Sequence, residues 1–212
     1  MNLCAMGSIF NQTTAAFNAM LVSLAALALA ACGPTPDRAE TEGVRLEGAA
    51  VGGPFELTSE TGETVRWSDW DGKYRIVYFG YTYCPDVCPV DTQKIARALA
   101  ALKAEQPDLA AKIVPLFITI DPARDTPAVL TEFTDAFSPD MIGLTGTEDQ
   151  ITAVTKSYAA SYARGEELDG GQYLMNHTNL AYLMGPDGAP LVAFSGDMTH
   201  EAITRDLLRW VE

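Results

Sequence analysis

The chain has 212 residues and is acidic, with 28 Asp and Glu against 14 Lys and Arg and a formal net charge of -14. That length holds one ordinary domain with extensions and not two full ones. The acid excess argues against nucleic acid and anionic lipid surfaces as partners, and is what a soluble acidic surface needs.

The first 36 residues contain no Asp, Glu, Lys or Arg, and Phe17 to Ala31 is nearly continuous Ala, Leu, Val and Met. The run reads as an export signal. Its end, Leu29-Ala30-Ala31-Cys32, resembles the lipobox of bacterial lipoproteins, although no cation precedes the apolar run. The resemblance implies cleavage before Cys32, lipid on its sulfur, and a mature chain exported and anchored to the membrane, facing the periplasm. The alternative is an uncleaved anchor, the run being somewhat short of the about 20 apolar residues of a comfortable span. Residues 1–31 are thus the signal, and 32–52, rich in Pro, Gly, Ala and Glu, a flexible tether. The domain occupies 53–212.

Phe55–Thr58 and Thr64–Trp67 flank the turn Glu60-Thr61-Gly62-Glu63 and predict an N-terminal β-hairpin. Tyr74–Phe79 predicts a strand, Val90–Lys103 a helix, and Lys112–Ile120 a strand buried on both faces. Thr126 as cap and Pro127 at the first position open a helix through Phe137. Met141–Leu144 is a short strand, and Thr147-Glu148-Asp149-Gln150 a capping box that starts a helix to about Tyr162. Gly165–Gly171 is a polar loop or hairpin. Thr178–Met184 and Pro190–Phe194 are strands joined by the turn Gly185-Pro186-Asp187-Gly188, and Thr199–Val211 is an amphipathic helix. Strands alternating with helices, then a hairpin and a last helix, give an α/β fold: a thioredoxin-like mixed sheet flanked by helices, with the N-terminal hairpin as an extension.

The segment Cys84-Pro85-Asp86-Val87-Cys88-Pro89 directly follows the first long strand. Two thiols four positions apart at a helix start, with Pro85 at the expected first helical position, feel the positive end of the helix dipole. That lowers thiol pKa and favours either metal ligation or thiol exchange. Cys4 lies in the signal and Cys32 carries lipid, so only Cys84 and Cys88 remain. Two cysteines cannot build a four-thiolate iron–sulfur or structural zinc site. Thiolates select soft ions, and a further ligand has to come from one of two histidines. His200 reads as a solvated residue at a helix start. His177 precedes a strand whose end shares the sheet edge of the Cys turn. Asp86 sits inside the Cys loop; Asp121 and Asp125 either end a strand and cap a helix or form an outer pair around the site. Met141, Met175, Met184 and Met198 read as core filler, and Tyr81 and Tyr83 as walls against water.

Tyr81-Thr82-Tyr83-Cys84-Pro85-Asp86-Val87-Cys88-Pro89 resembles the signature of the Sco/SenC family. So do Phe117-Ile118-Thr119-Ile120-Asp121-Pro122-Ala123-Arg124-Asp125-Thr126-Pro127 and Tyr173-Leu174-Met175-Asn176-His177-Thr178, in the family's order. The resemblance implies a membrane-tethered copper protein that assists assembly of cytochrome c oxidase. Cys84, Cys88 and His177 fall on its copper-ligand positions, for one copper per chain as Cu(I), Cu(II) or both. Asn176 stands where the family often has an acid, and an amide orients the imidazole without adding charge. The partners implied are an upstream copper donor and the copper-receiving subunit of cytochrome c oxidase or another copper enzyme. A thiol–disulfide oxidoreductase acting on the cysteines of such a partner is the alternative, and copper sensing uses the same ligands. The discriminating residue is His177, which a reductase does not require. Thiol peroxidase fits less well, because Thr82 stands only one residue from Cys84.

Overall fold

The computed structural model describes residues 41–212. The export signal, Cys4, Cys32 and the first part of the expected tether lie outside them. Among the described residues no helix is long and apolar enough to cross a membrane.

At the centre of a mixed sheet lie β4 (Tyr74–Gly80) and β5 (Ile113–Thr119), paired in parallel from Tyr74↔Ile113 to Gly80↔Thr119. Every residue of β4 is buried, including Arg75, which donates to the carbonyls of Lys73 and Gly185 and lies 4.2 Å from the Trp67 ring. The connection between them is α1 (Val87–Glu105) and the single turn α2 (Pro107–Ala110). Parallel to β5 runs β6 (Ile142–Thr145), reached through α3 (Pro127–Asp135). On the other side β9 (Leu180–Met184) pairs antiparallel with β4, and β10 (Pro190–Ser195) with β9. The last helix, α5 (His200–Trp210), packs on α1.

The expected hairpin forms from β2 (Glu56–Ser59) and β3 (Thr64–Arg66) and adds to the sheet through β6. With the short β1 (Val44–Arg45) on the opposite edge, the eight strands run in the order β1-β10-β9-β4-β5-β6-β2-β3. The capping box forms too: Thr147 Oγ1 accepts the Gln150 N–H at 3.2 Å while Gln150 Oε1 accepts the Thr147 N–H at 2.8 Å.

Three boundaries differ from the sequence reading. α1 begins at Val87, three residues before the expected Val90 and two after Pro85, with Asp86 as its cap residue. α4 (Glu148–Ser157) stops short of Tyr162, because Ala159 turns into the left-handed region (φ 51°) and Ala160 N–H reaches back to Thr155 O at 2.9 Å. That closure leaves the following chain free to form β7 (Tyr162–Glu167), which pairs with β8 (Tyr173–His177) as a separate two-stranded hairpin. His177 therefore ends a strand instead of sitting in a loop.

The third difference concerns residues 41–46, whose composition predicts tether. β1 pairs with β10, and buried Asp206 accepts the N–H groups of Glu42 and Gly43 at 3.1 and 2.8 Å. A Cβ at Gly43 would meet Ala193 O at 2.6 Å, so only glycine lets the strand approach. The stretch is polar because it lies along the domain surface, and its backbone bonds hold it there.

Candidate metal centre

Sheet topology explains why distant residues meet. β4 and β5 are parallel and in register, so the Cys turn after Gly80 and the Asp121–Asp125 turn after Thr119 leave the same edge. β9 enters antiparallel at that edge, with Ala181 opposite Tyr78, so Thr178 and His177 arrive there as well.

His177 Nε2 stands 3.3 Å from Cys88 Sγ, across 89 positions of sequence. Its Nδ1 lies 3.0 Å from the carbonyl of Thr178, which can only accept. Nδ1 therefore carries the proton, and Nε2 turns its lone pair to the sulfur. The ring is walled by Tyr78 and Tyr81, with centroids 6.3 and 6.1 Å away and nearly perpendicular planes. Cys84 Sγ accepts the Cys88 N–H at 3.4 Å. Both cysteines are free thiols in the core, Cys88 wholly buried and Cys84 9% exposed.

The helix dipole does not decide the state of Cys88. Burial pushes its thiol well above the usual range, the proximity of Cys84 adds to this, and a backbone hydrogen bond from Tyr81 opposes it. Loss of water is the largest influence on this sulfur, which stands within hydrogen-bond distance of His177 Nε2. Tyr78 also lies within hydrogen-bond reach of Cys88, and its hydroxyl donates to Asp91 Oδ2 at 3.3 Å. Asp91, itself raised by burial, pairs with Lys94 at 3.4 Å. Neither Tyr78 nor Asp91 stands out in sequence, Tyr78 being one apolar position among several in a strand.

The outer residues separate. Asp125 is fully buried and accepts from Thr82 N–H at 3.1 Å, Thr82 Oγ1 at 2.7 Å and Thr119 Oγ1 at 2.6 Å. It pins the Cys loop to the end of β5, while Thr126 caps α3. Asp121 is buried, accepts the Tyr173 hydroxyl at 2.9 Å and pairs with Arg124, so it faces the β7–β8 hairpin. Asp86 is exposed, and its side chain makes no capping bond. Asn176 is exposed and alternates with His177 along β8, so the Thr178 carbonyl and not this amide orients the imidazole. Tyr83 is 49% exposed with Arg124 4.8 Å from its ring, so Tyr81 and Tyr78, not Tyr83, wall the histidine. Met141, Met184 and Met198 are core residues, and Met175 packs half-buried against the core. His200 pairs with Glu201 at the start of α5.

Among the described residues no group of three His, Cys, Asp or Glu side chains is drawn together as a finished metal cage. Cys88 and His177 are in contact, and Cys84 joins them through the Cys88 backbone. The donors gathered here, two sulfurs and one imidazole nitrogen, would suit a soft, low-coordinate ion.

The profile of the SCO1/SenC family matches residues 44–212. Protein SenC of Rhodobacter capsulatus is 46% identical over 162 residues, which cover 76% of this chain and 71% of that protein. The human mitochondrial SCO1 homolog is 40% identical over 140 residues, 65% of this chain but only 45% of the human protein. Among solved structures, Arabidopsis thaliana ScoI with copper bound superposes with a TM-score of 0.70 at 35% identity, covering 76% of this chain and 98% of that one. The mixed sheet flanked by helices is thus the thioredoxin-like fold of those proteins.

Proposed function

Because this chain belongs to the SCO1/SenC family, we propose that it is a copper chaperone. It binds one copper per chain through Cys84, Cys88 and His177, and hands the ion to the copper-receiving subunit of cytochrome c oxidase or another copper enzyme. The observation that carries this reading is the 3.3 Å approach of His177 Nε2 to Cys88 Sγ. A reductase does not require that imidazole, which there could do no more than take a thiol proton, whereas a soft cation needs a further donor beside the two sulfurs. Export and anchoring through a lipid on Cys32 would put the site on the periplasmic side, within reach of an upstream copper donor.

The donors fit copper by their chemistry. Two thiols and one imidazole are soft or borderline ligands, and copper supplies a cation that holds both thiolates deprotonated. The chain's own residues do the rest. Thr178 O keeps the proton on Nδ1, Tyr78 and Tyr81 keep the ring upright and water out, and Asp125 holds the loop that carries Cys84. Loading displaces the thiol protons of both Cys84 and Cys88, and since the ion takes the Nε2 lone pair of His177, both protons leave to solvent. Three ligands leave an incoming protein ligand room to enter, which lets the ion depart by stepwise exchange.

The second reading, thiol–disulfide exchange with a partner's cysteines, is favoured by the difference in exposure, 9% for Cys84 against 0% for Cys88. Cys84 would attack the partner disulfide and Cys88 would resolve the mixed disulfide. The partner gains two electrons and this chain ends with an internal disulfide. Metal analysis and copper competition titrations separate the two. Cys84→Ser, Cys88→Ser and His177→Ala are each expected to abolish tight binding, and full retention of copper by His177→Ala would move the assignment to the reductase.

A further inference from the structure

The β7–β8 hairpin is not part of the main sheet. Isolated two-stranded hairpins are marginal in water, yet this one must hold His177 in place against Cys88. At the His177 end it is closed by Ser161 and Thr178, whose backbone and hydroxyl groups bond each other at 2.9 Å. At the far end, β8 begins with Tyr173, and there the hairpin meets an ion pair of the main body, Arg124 with Asp121.

The guanidinium of Arg124 bonds and stacks at once. Nη1 donates to Tyr173 O at 3.0 Å, Nε donates to Asp121, and the Tyr173 hydroxyl donates to the other Asp121 oxygen at 2.9 Å. The guanidinium carbon lies 3.6 Å from the Tyr173 ring centre and 4.8 Å from that of Tyr83, in the loop that carries Cys84. One planar cation thus touches the β5–α3 turn, the hairpin and the Cys loop, the three segments that bring the candidate ligands together. Arg124 is 16% exposed and Asp121 4%, so the pair is poorly screened by water.

We propose that Arg124 is a positioning residue: with Asp121 and Tyr173 it clamps the histidine hairpin to the cysteine loop and so sets the geometry of the metal site without touching the metal. This rests on the copper reading above. The stacked, forked contact needs arginine; lysine is a point charge with neither the plane nor the fixed fork of donors.

The test uses the full-length protein with Arg124→Gln, Arg124→Lys and Tyr173→Phe. Cu(I) competition with a chromophoric chelator is read beside amide hydrogen exchange of the metal-free protein. For Arg124→Gln we expect about 10–100-fold weaker copper binding, the range usual when the support that orients a metal ligand is lost. Exchange at residues 173–177 should be at least about tenfold faster, with β4, β5 and α1 unchanged, as for loss of a local opening barrier. Arg124→Lys should recover little of the affinity, and Tyr173→Phe, which keeps the stack and the carbonyl bond, most of it. Wild-type affinity and wild-type hairpin exchange in Arg124→Gln would overturn the clamp. So would protection lost evenly across the whole domain, which is a purely structural role. Failure of the copper reading looks different: His177→Ala would bind copper as well as wild type, while the exchange data on metal-free protein still decide whether Arg124 holds the hairpin.

Discussion

Replacing Asp125 by alanine tests whether the Cys loop is held from beneath. The carboxylate accepts three hydrogen bonds, from Thr82 N–H, Thr82 Oγ1 and Thr119 Oγ1, and is fully buried. Bonds to a charged acceptor contribute about 1.5–3 kcal/mol each, and donors left buried without a partner cost about 1–3 kcal/mol. Against this stands relief from burying a charge, itself several kcal/mol. A net loss of about 3 kcal/mol follows, a fall in Tm of about 6–12 °C for a domain of this size. Differential scanning calorimetry of Asp125→Ala beside wild type reads it, and a Tm within about 2 °C of wild type, less than about 1 kcal/mol, would refute the reasoning. The pH dependence adds a second check. Burial is the largest influence on Asp125 and raises its pKa, against the Thr119 and Thr82 bonds that lower it. A raised carboxyl pKa means that the fold holds the proton more firmly than the unfolded chain does. That contribution is complete below the unfolded value of about 3.9 and is lost as pH rises through the folded pKa. Relative to Asp125→Asn, which cannot titrate, wild type should therefore gain stability as pH falls from about 7 toward about 4; an unchanged difference would argue against a buried, titrating carboxyl.

Gly43→Val should detach the edge strand, because its Cβ would meet Ala193 O at 2.6 Å and Val192 Cγ2 at 2.7 Å; fast amide exchange at Leu46, whose N–H bonds Leu191 O, reads this out. Alkylation of the reduced protein under native conditions should label Cys84 well before Cys88, which is wholly buried; mass spectrometry giving equal rates would contradict the burial of Cys88 behind its partner. Phe117→Ala, at 0% exposure between the Tyr78 and Phe133 rings, should cost about 3–5 kcal/mol in urea unfolding, as an aromatic cavity usually does.

Elements with a strong local signal are legible in the chain itself. The apolar runs of β4 and β5, Thr126-Pro127 at the start of α3, and the Thr147/Gln150 box each depend on residues a turn or a strand apart. Cys84, Cys88 and His177 stand out because few other residues carry that chemistry. Less legible are features that depend on what lies opposite. α4 ends early because Ala159 adopts a conformation that alanine seldom takes. Residues 41–46 look like tether because their bonds are made by backbone, to β10 and to Asp206, and leave no periodicity. Arg124 lies within the Asp121–Asp125 motif with no role evident in its spacing.

Composition, periodicity and the spacing of two thiols are thus enough to point to an α/β domain with a soft-metal or redox site, because those properties belong to side chains and to near neighbours along the chain. The choice of the Thr178 carbonyl to orient His177, the burial that raises the Cys88 thiol, and the contacts of Arg124 with hairpin and Cys loop emerge only on folding. Every residue carries the same carbonyl, and desolvation depends on how many atoms surround a group, so neither is written in the identity of the residue itself.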